Sequence, residues 1–333
     1  MLKKFALLAL LVSAFVLGII VLQSENPSEG EDLVSVSIRL PIPVADSAFA
    51  PFYIAVDEGI YKKAGLDVKL ELGTPDLNPI KMVSQNIDEF GVLGGPELLL
   101  SGVNKGAYIK GIMRIHKDSD FVVLLTLKSS GITSLEQLEG KRVGMFYGHV
   151  STDVLRMLFK KNGVVVEEVD VGFNYGPLLS GDLDAEWAFR TTAGITLPSQ
   201  GAKLNMISPE DYGIKTDGHV VVVNSGFEKA NPDIVRKFVA ATKEGLDISL
   251  NNLDKVVASV QARNSKLTTD VIEKQMAVYS PAIKRNKPAG YFDAEAMERV
   301  KAQMLSIGLI DKDADVNSSF TNKYVGNYEV GPK

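Results

Sequence analysis

The sequence predicts an α/β protein of two lobes, and three observations carry that prediction. The first is the unit that opens the folded body. Val34 to Ile42 alternates: Val34, Val36, Ile38, Leu40 and Ile42 fall on one face, and Ser35, Ser37 and Arg39 on the other. That is the pattern of a strand with one buried side. Pro51 can open a helix, because its missing N–H costs nothing at the first helical position. Gly59 and Gly65 interrupt the helix, and Val68, Leu70 and Leu72 then alternate with Lys69 and Glu71 as a second strand. The second observation is that this strand–loop–helix order returns later. Lys141 to Phe146 reads as a strand, 147–152 as a loop in which Ser151 or Thr152 can cap, and 153–162 as a helix. The third is size. A chain of 333 residues, 45% hydrophobic and 23% charged, exceeds the roughly 250 residues at which single cores tend to divide.

Ahead of this body, Lys3-Lys4 precede an unbroken apolar run from Phe5 to Leu22. As a helix it would span about 27 Å, close to the hydrocarbon core of a bilayer. Residues 1–22 are therefore read as a signal peptide or membrane anchor. The basic residues before the run place the body on the extracytoplasmic side. Residues 23–33 contain the polar, acidic QSENPSEGED, a tether between membrane and domain.

The remaining elements follow in order. Pro79 to Asp88 suits a helix with Ile80, Val83 and Ile87 inward. Glu89 to Glu97 ends a short buried strand in a glycine turn, and Pro96 starts the next helix. Gly94-Gly95 fits either a tight turn or a close backbone approach to a ligand. Ala107 to Ile115 and Phe121 to Leu127 are strands, the second leading into a crossing at Ser129-Ser130-Gly131. Ser134 with Gln137 fits a capping box. Val164 to Val171 is a strand, and a short helix ends at Gly181. On the strand that follows, Trp187 and Phe189 share one face, and Glu186, Ala188 and Arg190 the other. Trp187, the single tryptophan, fits core packing or stacking on a flat ligand. Glu186 needs a partner in so apolar a strand, and Arg190 is one candidate. His219 to Asn224 is a second crossing strand. Helices then follow from Asn231-Pro232, over 253–263, 269–278 and 294–306, with Gly308 ending the last.

Five segments together resemble one family. "APFYIAVDEGIYKKAGLDVKL", the "GKRVG" at 140–144, "GDLDA" at 181–185, "DYGI" at 211–214 and "NPDIVRKFVAAT" from Asn231 are similar to the NMT1/THI5-like substrate-binding proteins. The resemblance covers about residues 34–328. It implies a type II periplasmic-binding-protein fold. Lobe one would be 34–127 with 221–333, lobe two 128–220, and two crossing strands would join them around a ligand cleft. It further implies a small-molecule ligand and ABC permease and ATPase partners. A thiamine-pyrimidine precursor or other heteroaromatic leads, with riboflavin, a sulfonate or nitrate as alternatives. Thiamine-pyrimidine binders usually carry an aromatic residue at the end of the first strand, where this chain has Leu40-Pro41-Ile42-Pro43. The candidate ligand contacts are Ala50, Pro51 and Phe52; Gly95 and Glu97; Tyr147, Ser151 and Thr152; and Tyr175, Glu186, Trp187 and Tyr212. Tyr147, Tyr175 and Trp187 would stack, Glu186 or Glu97 would accept from ring amines, and amides near Ser151 would hold a polar substituent.

Other functions find little support. Net charge is −5 and basic residues come only in short pairs such as Lys62-Lys63, which argues against nucleic acid. The absence of cysteine excludes disulfides, thiolate metal sites, a cysteine nucleophile and the cysteine-rich motif of the fungal pyrimidine-forming relatives. No G-x-S-x-G or H-E-x-x-H occurs. His116, His149 and His219 stand far apart in sequence. An enzyme on this fold would have to draw its acid or base from Glu186, Glu97 or His149. The expectation is a monomeric binding protein without a cofactor or metal.

Overall fold

The computed structural model describes residues 33–326 apart from Pro75, Gly148, Lys287 and 312–314. The apolar N-terminal run and most of the tether lie outside the described residues. Among the described residues, no helix is long and apolar enough to cross a membrane.

The first half of the chain runs β1 (Val34–Arg39), α1 (Ala50–Asp57), α2 (Ile60–Lys63), β2 (Leu66–Glu71), α3 (Pro79–Ser84), β3 (Phe90–Leu93), α4 (Pro96–Asn104), β4 (Ile109–Arg114) and β5 (Val122–Leu127). It continues through β6 (Arg142–Met145), α5 (Val150–Asn162), β7 (Glu167–Asp170), α6 (Gly176–Ser180), β8 (Ala185–Phe189), α7 (Ala193–Ser199), β9 (Leu204–Ile207) and β10 (Val220–Asn224). Five helices complete it: α8 (Ser225–Ala230), α9 (Pro232–Asn251), α10 (Leu253–Gln261), α11 (Thr269–Arg285) and α12 (Ala294–Ser306).

Two five-stranded sheets share one wiring. The first has the order β2-β1-β3-β10-β4 and the second β7-β6-β8-β5-β9. In each, the first three strands are parallel and the fourth is antiparallel to its neighbours. The fourth strand is also the one adjoining a crossing: β10 enters the first sheet from the second lobe, and β5 opens the second sheet. Val122–Leu127 was expected in lobe one, but it bonds to β8 and β9. The first crossing is therefore 115–121, upstream of Ser129-Ser130-Gly131, and the second is 208–219.

The alternation in β1 describes only part of what the strand does. Val36 and Ile38 are buried as expected, but so is Arg39, whose Nε lies 2.8 Å from Asp88 Oδ2. Parallel strands are covered on both faces, so a cation on the second face survives only as an ion pair. Pro51 does open α1, after a 3-10 turn capped by Asp46, which accepts from the Ala48 N–H at 2.9 Å. The helix is buried from Ala50 to Ala55 because it packs tightly on α9. A side chain at Gly245 would meet the Pro51 carbonyl at 2.2 Å. α3 is shorter than the apolar spacing suggests. It ends at Ser84, Asn86 has φ 55°, and Ile87, expected inward, is exposed. Gln137 accepts from the Ser134 N–H at 3.0 Å, half of the expected box.

Candidate functional site

The two crossings set the loops after β1, β3, β6 and β8 along one seam between the lobes. Crevices at the carboxyl ends of parallel strands are where α/β proteins hold ligands. The lobes touch here. Phe189, at the end of β8, packs against both cores. Two residues on, the Thr191 carbonyl accepts from Gln275 Nε2 at 3.0 Å, and its hydroxyl lies 2.9 Å from the Tyr279 hydroxyl. Tyr279 and Gln275 also donate to the two carboxylate oxygens of buried Asp46, at 3.0 and 2.9 Å. Asp46 thus caps a turn in lobe one and anchors a bridge to lobe two.

The second lobe furnishes the seam with rings. Trp187 is fully buried, and its Nε1–H donates to the Gly172 carbonyl at 2.7 Å. Around it, at centroid separations of 5.2 to 5.6 Å, stand Phe173, His149, Phe189 and Phe146, with Tyr175 at 6.5 Å. His149 also caps α5, its Nδ1 accepting from the Ser151 N–H at 3.2 Å. Burial moves the His149 pKa down to about 4, so the ring is neutral.

The first lobe contributes Glu97. It lies in the first turn of α4, behind Gly95. Gly95 is extended, at φ 179°, so its backbone is within any residue's reach. What requires glycine is space: a Cβ there would meet Glu97 Oε2 at 2.4 Å and the Asp217 carbonyl at 3.2 Å. Glu97 is 5% exposed and its Oε1 has no hydrogen-bond partner. Burial pushes its pKa up to about 8; its own N–H opposes, Asp217 of the second crossing raises it further, Arg299 of α12 lowers it, and Asp153 of α5 adds a small upward push.

Two more imidazoles meet at the crossings. His116 and His219, far apart in sequence, bring their Nδ1 atoms to 3.3 Å. Phe49, Phe121 and Tyr279 surround them. Among the arginines nearby, Arg114 pairs with Asp217 at 2.8 Å and Arg190 with Asp120, whereas Arg299 lies 3.5 Å from Asp118 with its Nε and Nη2 making no hydrogen bond.

The predicted residues divide. Trp187 and Tyr175 come together, and Gly95 with Glu97 reaches the seam. Tyr147 is exposed, with the Arg156 guanidinium 5.5 Å from its ring centroid. Ala50, Pro51 and Phe52 are core. Neither Ser151 nor Thr152 is the α5 cap. The Ser151 hydroxyl sits 2.8 Å from His149 Nδ1, and that of Thr152 donates to the Phe146 carbonyl. The Tyr212 hydroxyl accepts from the Leu135 N–H at 2.9 Å, inside lobe two. Glu186 lies on the opposite face of β8 from Trp187, where Gly144 makes room for it. Arg190 pairs with Asp120 instead, which leaves both Glu186 oxygens buried without a hydrogen bond. Burial moves the Glu186 pKa up to about 8, opposed by a Leu178 N–H that lies outside hydrogen-bond geometry. Phe146 and Phe189 carry no signal in the sequence beyond their place at strand ends, and Phe49 none beyond its place ahead of α1. Two grooves flank the seam, one of about 410 Å³ between α7 and α11, the other of about 530 Å³ between α5 and α12. Neither is lined by a predicted ligand residue.

These features have counterparts in known proteins. The chain is 24% identical over 300 residues to the riboflavin-binding protein RibY of Chloroflexus aurantiacus, spanning 84% of each chain. It is 24% identical over 310 residues to the formylaminopyrimidine-binding protein of Halalkalibacterium halodurans, spanning 90% of this chain and 92% of that one. It superposes with a TM-score of 0.70 on the periplasmic aliphatic sulphonate binding protein SsuA of Escherichia coli, covering 86% of this chain and 97% of that one at 13% identity. The fold is accordingly that of the periplasmic binding proteins. The NMT1/THI5-like family profile matches residues 46–255, more than half of the chain, and the protein belongs to that family.

Proposed function

We propose that this protein is the extracytoplasmic solute-binding component of an ABC importer. Its solute is a small nitrogen heteroaromatic that donates hydrogen bonds. The relatives that bind riboflavin and a formylaminopyrimidine support the class. The observation that carries the finer reading is Glu97. A helix N-terminus in such a crevice is a ready anion site. Here the carboxyl of Glu97 folds back over the first turn of α4 and occupies it. An incoming sulfonate or nitrate would meet that group, with Asp217 and Asp153 acting on it and with Arg114 and Arg190 already paired to carboxylates. An N–H-bearing ring would instead give Oε1 a donor, which favours the ionised carboxylate over the protonated form that burial imposes on the unpartnered group. The ring cluster around Trp187 suits a flat partner. Closure about 115–121 and 208–219 would bury the solute and present the closed form to a permease. Binding requires no turnover, so solute should be recovered chemically unchanged.

Native mass spectrometry of the full chain, expressed without added solute, tests this reading. A mass increment of a flavin or an aminopyrimidine supports it. If the chain is recovered empty, calorimetry with riboflavin, a formylaminopyrimidine, an alkanesulfonate and nitrate decides. Saturable binding of either anion, with none of either heterocycle, overturns it. Glu97→Ala should weaken heterocycle binding by about tenfold or more, the scale of a lost buried hydrogen bond to a charged or polarised group.

A further inference from the structure

The His116–His219 pair lies at the base of the seam, one residue from each crossing. An Nδ1-to-Nδ1 contact holds a single proton, so one ring donates and the other accepts. The surroundings decide which. His116 is fully buried, and its Nε2 has no hydrogen-bond partner. Its neighbours Phe121 and Tyr279 offer ring surface, at 5.1 and 5.3 Å between centroids, and the Tyr279 hydroxyl is taken by Asp46 and Thr191. If His219 donated, His116 would carry its own proton on Nε2 as a buried N–H without an acceptor. Orphaned N–H groups are rarer and costlier than bare lone pairs. His116 therefore carries its proton on Nδ1 and donates it. His219 accepts at Nδ1 and must carry its proton on Nε2.

That second nitrogen is not enclosed. His219 is partly exposed, and among the described residues its Nε2 has no partner. Phe49, from the turn after β1, packs edge-on against its ring at 5.1 Å. Two residues earlier, the Asp217 carbonyl lies beside Gly95, ahead of α4. His219 thus sits between the loops after β1 and β3. We infer that His219, locked in one tautomer by His116, presents Nε2–H to the crevice as a fixed hydrogen-bond donor for an acceptor atom of the solute, a carbonyl oxygen or ring nitrogen. This deepens the heteroaromatic reading: Glu97 would accept from the solute and His219 would donate to it, matching a ring edge that carries both functions. Burial holds both imidazoles below their ordinary pKa, His219 at about 4, so the pair is neutral at physiological pH.

The first test needs no solute and so stands apart from the solute-binding reading. Long-range proton–nitrogen correlation spectra of the 15N-labelled full chain at pH 7 contain signals from three histidines, assigned with His149→Gln and His219→Gln. The expected result is His116 with a protonated Nδ1 and a bare, far-downfield Nε2, and His219 with the reverse. A His116 protonated at Nε2, or an imidazolium at either site, overturns the inference. The second test adds riboflavin or a formylaminopyrimidine, whichever the calorimetry shows to bind. His219 Nε2 should shift while His116 Nε2 does not, and His219→Phe should weaken binding about 3- to 10-fold. Bound heterocycle with an unmoved His219 signal would also overturn it.

Discussion

The two sheets are wired alike, yet they furnish the seam in opposite ways. Lobe one brings polar groups that are mostly satisfied: Asp46 receives three hydrogen bonds, and Arg114 bonds to Asp217, Asn286 and the Tyr291 carbonyl. Glu97 Oε1, the Tyr53 hydroxyl, Arg299 Nε and Nη2 and Gln303 Oε1 are the exceptions among its described residues. Lobe two brings rings, and its buried carboxyl, Glu186, is satisfied by nothing. Identical topology with different loops teaches that the wiring fixes where a ligand can sit, while residues at strand ends decide what it can be. Substitutions can test how deep that division runs.

The largest effect should come from the ring cluster. Trp187→Ala removes the centre of the second core and its bond to Gly172, and should cost about 3–5 kcal/mol of stability in chemical denaturation. Trp187→Phe should recover much of it. If Trp187→Ala is stable but cannot bind a heterocycle, the ring is a ligand platform and not a core residue, and the comparison between the lobes must be redrawn.

Next come the two carboxyls. Each has a folded pKa raised to about 8, so the folded state holds a proton that the unfolded state has released. Their contributions are intact below the ordinary carboxylate pKa of about 4.5 and are lost as pH rises through about 8. Glu186→Gln removes the titration and should stabilise the protein at pH 9 relative to pH 5 by on the order of 5 kcal/mol, at about 1.4 kcal/mol per pKa unit. Glu97→Gln should flatten the same alkaline limb while also changing binding. Thermal melts across pH 5–9 would separate them. An unchanged slope in Glu186→Gln would mean that its carboxyl finds water or a donor.

Some of this was legible in the sequence, for physical reasons. Pro51 as helix opener and the repeated strand–loop–helix order are local patterns and appear where the spacing puts them, while the alternation in β1 holds for Val36 and Ile38 but not for exposed Val34. The rest depends on long-range pairing. Nothing local says that β5 joins the second sheet, since an apolar run fits either core. Nothing local brings His116 to His219 across 103 residues. Phe52 and Trp187 show the limit at the site: an aromatic near a strand or helix end suits a core and a ligand equally until packing decides. Glu186 needs a partner in an apolar strand, and Arg190 shares its strand face. Asp120 took that arginine from the first crossing.

A smaller effect should come from the bridge between the lobes. Tyr279→Phe removes the hydroxyl between Asp46 and Thr191 and should cost about 1–2 kcal/mol. Because Thr191 lies in the other lobe, part of that cost should appear as a roughly five- to tenfold shift toward open lobes, read as a longer distance between spin labels on the two sheets. Equal distance distributions in both proteins would make the bridge incidental to closure.

The smallest effect distinguishes a lobe-two tyrosine at the seam from one within the lobe. Tyr175 lies beside Trp187, and burial, with the charge of Glu186 adding to it, raises its pKa above the ordinary tyrosine value. Tyr212 spends its hydroxyl on the Leu135 amide. Tyr212→Phe should lower stability by about 1 kcal/mol, the net worth of one hydrogen bond, and leave solute affinity unchanged. Tyr175→Phe should do the reverse, with little change in stability and a measurable loss of heterocycle affinity. If Tyr212→Phe weakens binding, the Leu135 turn belongs to the recognition surface, and polar recognition is then not confined to lobe one.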